Sequence, residues 1–269
     1  MLGAPDPVYV QARRVLLDAL EALREQRTAV LLVGAQAIYL HTGEGHLAVA
    51  PYTSDADLAL DPAVLADDPR LDTLLSGAGF RPTPEPGTWL GPHDVPVDLL
   101  VPEALAGPGR RGARLYPHGN RVARKGRGLE AALVDNVVMT VEAFEHDDDR
   151  RFEIKVAGPS ALLVAKMHKL ADRQDSLTRS DDKDALDIYR LLTAVATETF
   201  ADTISRLLDD PLSREVTQEA LAHLQALFGT ADAPGSQMVA RAVELLEDPV
   251  TISASCAVLA QDLLIVVLR

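Results

Sequence analysis

Residues 51–60 read PYTSDADLAL, and the two aspartates in this stretch decide how the rest of the chain is interpreted. Asp55 and Asp57 lie at the head of an apolar run that is typical of a buried β-strand. Side chains at positions i and i+2 of a strand point to the same face, so we expect the two carboxylates to lie side by side. Like charges in that position repel each other. The sequence therefore predicts a cation that neutralises them.

Apolar periodicity predicts alternating helices and strands around this stretch, and then a helical remainder. The predicted helices in the first part cover residues 8–27, 35–43 and 62–80, the last one ending at Gly77 or Gly79. The predicted strands cover residues 28–34, 55–60, 95–102, 133–144 and 150–158, the last two joined by an acidic turn. After residue 158 the pattern is helical, and Pro159 suits the first position of a helix. We therefore predict an α+β domain over residues 1–158 and a helical domain over residues 159–269.

Composition is that of a soluble protein, and no export signal precedes the first helix, so we expect a cytoplasmic chain. The single cysteine, Cys256, lies in an apolar stretch and is expected to be an inert core residue. The apolar tail, residues 253–269, contains Gln261 and Asp262 and falls short of a membrane span. It predicts a buried terminal helix and no contact with a membrane.

Positive charge is concentrated in one short segment of this acidic chain. The net charge is −14, which excludes a general nucleic-acid coat because phosphate binding needs clustered cations. Residues 110–127, here called the basic segment, hold seven cations and no acid, so the remainder carries −21. These cations are Arg110, Arg111, Arg114, Arg121, Arg124, Lys125 and Arg127. Glycine and proline interrupt the segment, so we expect a loop that either contacts a polyanion or is simply solvated.

A third aspartate, Asp98, opens a similar apolar run, VDLLV. If the strands that carry Asp57 and Asp98 are neighbours, three carboxylates converge at one end of a sheet. Mg²⁺ or Mn²⁺ prefers such oxygen ligands and usually shares its site with substrate phosphates. Two such ions stabilise the attacking and leaving oxygens of a phosphoryl displacement. The plainer alternative is that these acids only mark the start of each strand.

Upstream, LLVGAQAIYL (31–40) predicts a strand that ends at Gly34 and turns at once into a helix, a natural phosphate cradle. With Asp55, Asp57 and Asp98, this ordered set resembles the nucleotidyltransferase superfamily of DNA polymerase β. That family has a strand-ending Gly-Ser or Gly-Gly, then D-x-D, then a third aspartate on a later strand. The resemblance implies a mixed sheet with flanking helices. It also implies that all three aspartates form the metal site and that Asp98 helps to activate the attacking hydroxyl.

The second half is similar to the late motif of the AbiEii/MenT-type toxin nucleotidyltransferases, in which a lysine-bearing helix, a polar loop and a K-D-x-x-D helix follow one another. Lys166, Lys169 and Arg173 share one face of the first predicted helix, where they can meet a triphosphate. Asp184 and Asp187 share a face of the next helix and can orient those cations. The resemblance implies that Lys166 and Asp184 take part in catalysis and that all five residues serve nucleotide binding. The alternative is that these charges belong to solvated helix faces.

Two positions depart from the family pattern. Ala35 stands where the family has a second glycine or a serine, which removes a hydroxyl from the phosphate cradle. Pro51 and Tyr52 precede the D-x-D motif, where many of the toxins carry Arg or Lys. The nucleotide contacts expected in this region are Gly34, Ala35, Thr53 and Ser54.

The resemblance implies a metal-dependent enzyme that moves a nucleoside monophosphate from a nucleoside triphosphate to an acceptor. For a toxin the implied acceptor is the 3′ end of tRNA, with the basic segment as the RNA contact and a cognate antitoxin as partner. Two alternatives remain open. In the first alternative, the acceptor is a small cationic molecule of the aminoglycoside kind, which an acidic cleft attracts. In the second, the chain is a catalytically inactive member that acts as a binding protein.

Overall fold

The computed structural model of the chain describes residues 5–43, 49–173 and 182–268. The chain divides into two compact units, and it passes between them more than once. The first unit consists of Met1–Ala37, Pro51–Leu129 and Asn136–Ala157. The second consists of Ile38–Ala50, Glu130–Asp135 and Gly158–Arg269. The last passage falls at residue 158, where the sequence places a domain boundary, but two short inner segments also belong with the second unit.

The first unit is built on a mixed eight-stranded sheet. Its strands are β1 Val30–Val33, β2 Ala56–Leu60, β3 Arg81–Pro82, β4 Thr88–Leu90, β5 Pro96–Pro102, β6 Arg124–Gly126, β7 Asn136–Glu142 and β8 Arg151–Ala157. The order across the sheet is β3-β4-β5-β2-β1-β8-β7, and β6 pairs with β5. Pairs β1–β8, β2–β5 and β5–β6 are parallel, and the other pairs are antiparallel. The predicted α+β class with a mixed sheet is confirmed.

Helix α1, Pro7–Ala22, packs on this sheet through an apolar face that includes Leu16, Leu17 and Leu20. The Asp6 side chain caps the helix by accepting a hydrogen bond from the N–H of Val8. A 3₁₀ segment, Arg24–Ala29, follows the helix. The observed α-helix therefore ends five residues earlier than the predicted helix over residues 8–27. The whole of β1 is buried, as its unbroken apolar sequence requires.

Besides the shorter α1, the structure differs from the sequence-based elements in several places. Helix α3 covers only Leu71–Gly77, because residues 61–64 form a turn in which the Asp61 side chain accepts from the N–H of Ala63. The short strands β3 and β4 were not predicted, since two or three residues carry no usable periodicity. Strand β6 lies within the basic segment, so the prediction of a loop throughout that segment is wrong. The β7–β8 hairpin is present as predicted.

The second unit is helical. Its helices are α4 Glu130–Val134, α5 Pro159–Ala171, α6 Asp182–Ala194, α7 Thr197–Asp209, α8 Arg214–Phe228, α9 Pro234–Val243 and α10 Pro249–Val267. Helix α2, Gly34–Thr42, begins in the first unit and ends in the second. Pro159 occupies the first turn of α5, as predicted.

Helix α10 packs against α6, α7, α8 and α9 through its buried side. Among the described residues, α10 is the one helix that is long and apolar enough to cross a membrane, judged by length and composition alone. Of its most apolar 18-residue window, 33% is buried. The predicted terminal helix is therefore present, but the prediction that it is buried is wrong for one of its faces. Cys256 lies on the buried face, where burial raises the pKa of its thiol to about 12.

Candidate functional site

In the first unit, the strands β1, β2 and β5 place Gly34, Asp57 and Asp98 at one end of the sheet. Val33, the last residue of β1, lies opposite Asp57 of the antiparallel strand β2. Asp57 in turn lies opposite Asp98 of the parallel strand β5. The strands that carry Asp57 and Asp98 are therefore neighbours, which is the condition that the sequence analysis set for bringing these aspartates together. Gly34 joins them because it directly follows Val33.

Gly34 packs against the carboxylate of Asp57. Its φ of +70° lies in the left-handed region that favours glycine. A Cβ atom at this position would lie 2.0 Å from Oδ2 of Asp57. Both the backbone and the contact therefore require glycine. Helix α2 begins at Gly34, so the Asp57 carboxylate lies beside a helix N-terminus, whose dipole stabilises negative charge.

Asp55 lies one residue before β2 and is held by two buried neighbours. The hydroxyl of Thr53 donates to the Asp55 carboxylate at 2.5 Å. The side-chain amide of Gln36 donates to the Asp55 backbone carbonyl at 3.0 Å. The Thr53 hydroxyl, which the sequence suggests as a nucleotide contact, thus binds the candidate metal ligand Asp55. Ala35 is buried, whereas Ser54 is exposed.

A buried arginine of α1 holds Gln36 in turn. Nε of Arg13 donates to Oε1 of Gln36 at 2.8 Å. The other guanidinium nitrogens donate to the Glu142 carbonyl at 2.9 Å and to the Tyr9 hydroxyl at 3.1 Å. Burial lowers the pKa of Arg13, and these acceptors compensate the buried charge. The resulting chain of hydrogen bonds from Arg13 through Gln36 to Asp55 was not predicted, because no local sequence motif indicates it.

The third aspartate is bound by a cation of the basic segment. Nη2 of Arg124 lies 2.5 Å from Oδ2 of Asp98, and the Thr88 hydroxyl donates to Oδ1 at 2.6 Å. Arg124 and Thr88 reach Asp98 because their strands, β6 and β4, both pair with β5, the strand that carries Asp98. The Asp98 side chain is only 16% exposed, so this ion pair is partly shielded from water. A protein cation thus neutralises one of the three carboxylates.

The residues of this site fit a divalent cation in part. Asp55 and Asp57 offer the carboxylate oxygens that Mg²⁺ and Mn²⁺ prefer. Both oxygens of Asp98 already accept hydrogen bonds from Thr88 and Arg124. Among the described residues, no group of three His, Cys, Asp or Glu side chains is arranged to hold a metal ion. The arrangement therefore fits a metal on Asp55 and Asp57, and Asp98 can join only if Arg124 moves away.

Most cations of the basic segment bind atoms of the first unit. The pairs are Arg111 with Glu85, Arg121 with the Pro84 carbonyl, Arg124 with Asp98, Lys125 with the Gly107 carbonyl and Arg127 with Glu103. The Arg111–Glu85 pair is exposed on both sides, and such pairs contribute at most about 1 kcal/mol. Arg110 and Arg114 are also exposed. The nucleic-acid contact stays a prediction.

In the second unit, Lys166 of α5 lies between two aspartates of α6. Its ammonium group donates to Asp184 and, at 2.8 Å, to Asp187, and 6% of the side chain is exposed. Burial acts to lower the pKa of Lys166, but the two carboxylates outweigh it and hold that pKa above its usual value. Burial acts to raise the pKa of Asp184, but Lys166 and Lys169 hold it below the usual range. Lys166 and Asp184 are therefore charged at neutral pH.

Lys169 of α5 and Arg173, two residues beyond the end of that helix, approach the same Asp184 carboxylate. Their distances to Asp184 are 3.1 Å and 3.6 Å, and nearly half of each side chain is exposed. The expected pairing of the α5 cations with the α6 aspartates is present, whereas their contact with a nucleotide stays a prediction. The polar loop that precedes the K-D-x-x-D helix lies outside the described residues. Oδ1 of Asp187 is buried without a hydrogen-bond partner in the described chain.

Comparison of the chain with protein-family models, with curated proteins and with solved structures found no match.

Proposed function

We propose that this chain is a metal-dependent nucleotidyltransferase whose sheet is of the nucleotidyltransferase type. One observation carries the proposal: Gly34 packs against Asp57, and Asp57 lies opposite Asp98, all at one end of β1, β2 and β5. A β-strand that runs directly into a helix through a glycine offers backbone N–H groups to a phosphate. The carboxylates beside it offer oxygens to the cation that accompanies a triphosphate.

Each residue of this group has a role in the proposal. Asp55 and Asp57 would hold Mg²⁺ or Mn²⁺, and the bound ion would neutralise phosphate charge and polarise the α-phosphate. The N-terminus of α2 at Gly34 binds the phosphates of the nucleoside triphosphate. Thr53 and Gln36 keep Asp55 in place through its side chain and its backbone.

The proposed reaction is an in-line displacement at the α-phosphorus. A hydroxyl oxygen of the acceptor forms the new bond to the α-phosphorus. The bond between the α-phosphorus and the oxygen that bridges it to the β-phosphorus breaks, and pyrophosphate leaves. The proton of the acceptor hydroxyl passes to the Asp98 carboxylate. Because Asp98 is paired with Arg124, we expect Arg124 to move or to share the carboxylate in the active state.

The proposed acceptor is the 3′ end of a tRNA, as in the toxins that the chain resembles, with an antitoxin as regulatory partner. The exposed cations Arg110 and Arg114 support a polyanionic acceptor.

A second candidate is a catalytically inactive binding protein of the same type. The Asp98–Arg124 pair favours it, because it removes the third carboxylate from the metal site. Both candidates predict nucleotide binding near Gly34, but only the first predicts transfer.

The test is transfer of label from each of the four α-³²P-labelled nucleoside triphosphates, with Mg²⁺ or Mn²⁺, to total tRNA or to an aminoglycoside. Asp57→Asn should abolish transfer. Asp67→Asn should leave transfer unchanged, because Asp67 is an exposed residue in the connection after β2. Label on the aminoglycoside alone would replace tRNA by a small acceptor. No label on any acceptor or on the protein itself would refute the enzyme proposal in favour of the inactive one.

A further inference from the structure

The exposed apolar surface of the chain is concentrated at its last helix. Half of the large hydrophobic residues that are exposed in the described chain belong to α10 or to the few residues on either side of it. They are Leu245, Leu246, Val250, Val258, Ile265, Val266 and Leu268. Each of them exposes between 42% and 92% of its surface. Contiguous exposed apolar surface of this kind marks interaction sites.

The exposed residues of α10 follow the spacing of a coiled-coil seam. Six exposed positions, five in α10 and Leu268 directly after it, are alternately three and four residues apart and form one stripe, and Asp262 and Val266 are exposed beside it. The stripe consists of Thr251, Ala254, Val258, Gln261, Ile265 and Leu268. The opposite face of the same helix, with Cys256, Ala260 and Leu263, is buried in the second unit. A stripe of this period is the shape that packs against another helix.

We propose that this stripe binds the same stripe of a second copy of the chain, in antiparallel orientation about a two-fold axis. Antiparallel pairing places a small residue of one copy opposite a large residue of the other in each outer layer. Thr251 then faces Leu268, and Ala254 faces Ile265. Small residues opposite large ones let the two surfaces interlock without voids.

Charge supports the antiparallel arrangement over the parallel one. The connection that leads into α10 carries Glu244, Glu247 and Asp248, all exposed. Parallel helices would bring the two acidic ends together, whereas antiparallel helices hold them apart by the length of a 19-residue helix, about 28 Å. That separation is well beyond the Debye length of about 8 Å at physiological ionic strength.

The C-terminal end of α10 offers a groove for the partner. Gln225 of α8 and Gln261, Leu264, Ile265 and Leu268 of α10 line this groove, which measures about 490 Å³. In the antiparallel pair, the exposed leucines that precede α10 in one copy approach the groove of the other.

A membrane surface is a less suitable occupant of this face. The acidic residues before α10 would be repelled by anionic lipid, which attracts basic segments. The other half of the helix is packed against four helices of its own unit, so α10 cannot leave that unit without breaking the core.

Sedimentation velocity between about 1 and 100 μM tests the dimer. We expect a reversible dimer for the wild type and an increase of at least ten-fold in its dissociation constant for Val258→Glu. The matched control is Val64→Glu, because Val64 has nearly the same exposure, 49% against 54%, but lies in the first unit. A wild type that stays monomeric at about 100 μM, or equal effects of the two substitutions, would overturn the proposal. Unchanged thermal melting of Val258→Glu would show that the monomer is intact, because the side chain is exposed.

Cysteine cross-linking tests the orientation. The double variant Ala254→Cys/Ile265→Cys should form interchain disulfides under oxidation, whereas Ala254→Cys alone should not, because its two copies lie about 16 Å apart along the antiparallel pair. The native Cys256 is fully buried and does not compete. Cross-linking of Ala254→Cys alone would indicate a parallel pair and contradict the proposed geometry. If the monomer floats with anionic or neutral vesicles and Val258→Glu does not, the stripe binds a membrane and not a second copy, and the proposal is overturned.

Discussion

The guanidinium group of Arg124 lies 2.5 Å from Oδ2 of Asp98 and occupies the carboxylate that a metal-dependent transferase would use. These residues are 26 positions apart, and the parallel pairing of β6 with β5 brings them together. Asp98 therefore has a protein cation as partner, and Asp57 lies beside Gly34 and the N-terminus of α2.

Removing the cation should release Asp98 for metal binding and weaken the fold. For Arg124→Gln we expect a loss of about 1–3 kcal/mol in the free energy of unfolding, because a partly buried carboxylate loses its charged partner. We also expect tighter binding of Mn²⁺, since Asp98 becomes available as a third ligand. Urea denaturation and titration calorimetry with Mn²⁺ measure the two effects.

The control is Arg111→Gln, which removes an equally charged residue of the basic segment. The Arg111–Glu85 pair is exposed, so the unfolding free energy should change by less than about 0.5 kcal/mol and metal binding should not change. Equal Mn²⁺ affinity of Arg124→Gln and the wild type would show that Asp98 is not a latent metal ligand.

Gly34→Ala should destabilise the first unit more than an ordinary glycine replacement. The positive φ costs an alanine about 1–2 kcal/mol, and collision with Asp57 adds about 1–3 kcal/mol. Gly79→Ala isolates the first contribution, because Gly79 has φ +86° and no atom within 4 Å of an added Cβ. Thermal or urea unfolding of both variants measures the difference. Similar losses would mean that Asp57 moves aside freely.

Lys166→Met should cost about 3–5 kcal/mol in unfolding free energy, because it leaves two buried carboxylates without their shared cation. Lys169→Met should cost less than about 1 kcal/mol, since its side chain is 45% exposed. Urea denaturation of the two variants at neutral pH makes the comparison. A small loss for Lys166→Met would show that Asp184 and Asp187 find other partners.

The stability contributed by Asp184 should depend on pH in one direction. Folding lowers the pKa of Asp184, so the unfolded chain takes up a proton there before the folded chain does. The contribution is present above about pH 4, the usual carboxylate value, and is lost as the pH falls below it. The measurement is the difference in unfolding free energy between wild type and Asp184→Asn from about pH 3 to pH 7. A difference that does not shrink at low pH would contradict the lowered pKa.

Arg13 and Gln36 should act as one unit in supporting Asp55. In a double-mutant cycle with Arg13→Met and Gln36→Leu, we expect a coupling of about 0.5–3 kcal/mol in unfolding free energy. The matched cycle replaces Arg13 by its neighbour Arg14, which is 42% exposed and binds Glu145 instead. Arg14→Met and Gln36→Leu should be additive. Additivity in both cycles would show that Arg13 does not support Asp55 through Gln36.

The sequence alone determined the elements that carry the candidate site. The unbroken apolar runs before Gly34 and after Asp57 and Asp98 predicted buried strands, and the structure has them as β1, β2 and β5. Glycine at the end of β1 predicted the sharp turn into α2. These predictions succeeded because burial and backbone geometry act over a few residues, where periodicity and residue type record them directly.

Only the tertiary structure decided which charges meet. Nothing near Arg124 in the sequence indicates Asp98 as its partner, and nothing near Arg13 indicates Gln36, because strand register and helix packing set those distances between remote residues. The same holds for α10, which is mostly apolar in composition. Its composition predicted burial, yet the neighbouring helices cover only one face. How many elements surround a helix is a property of the assembled fold, and composition does not encode it.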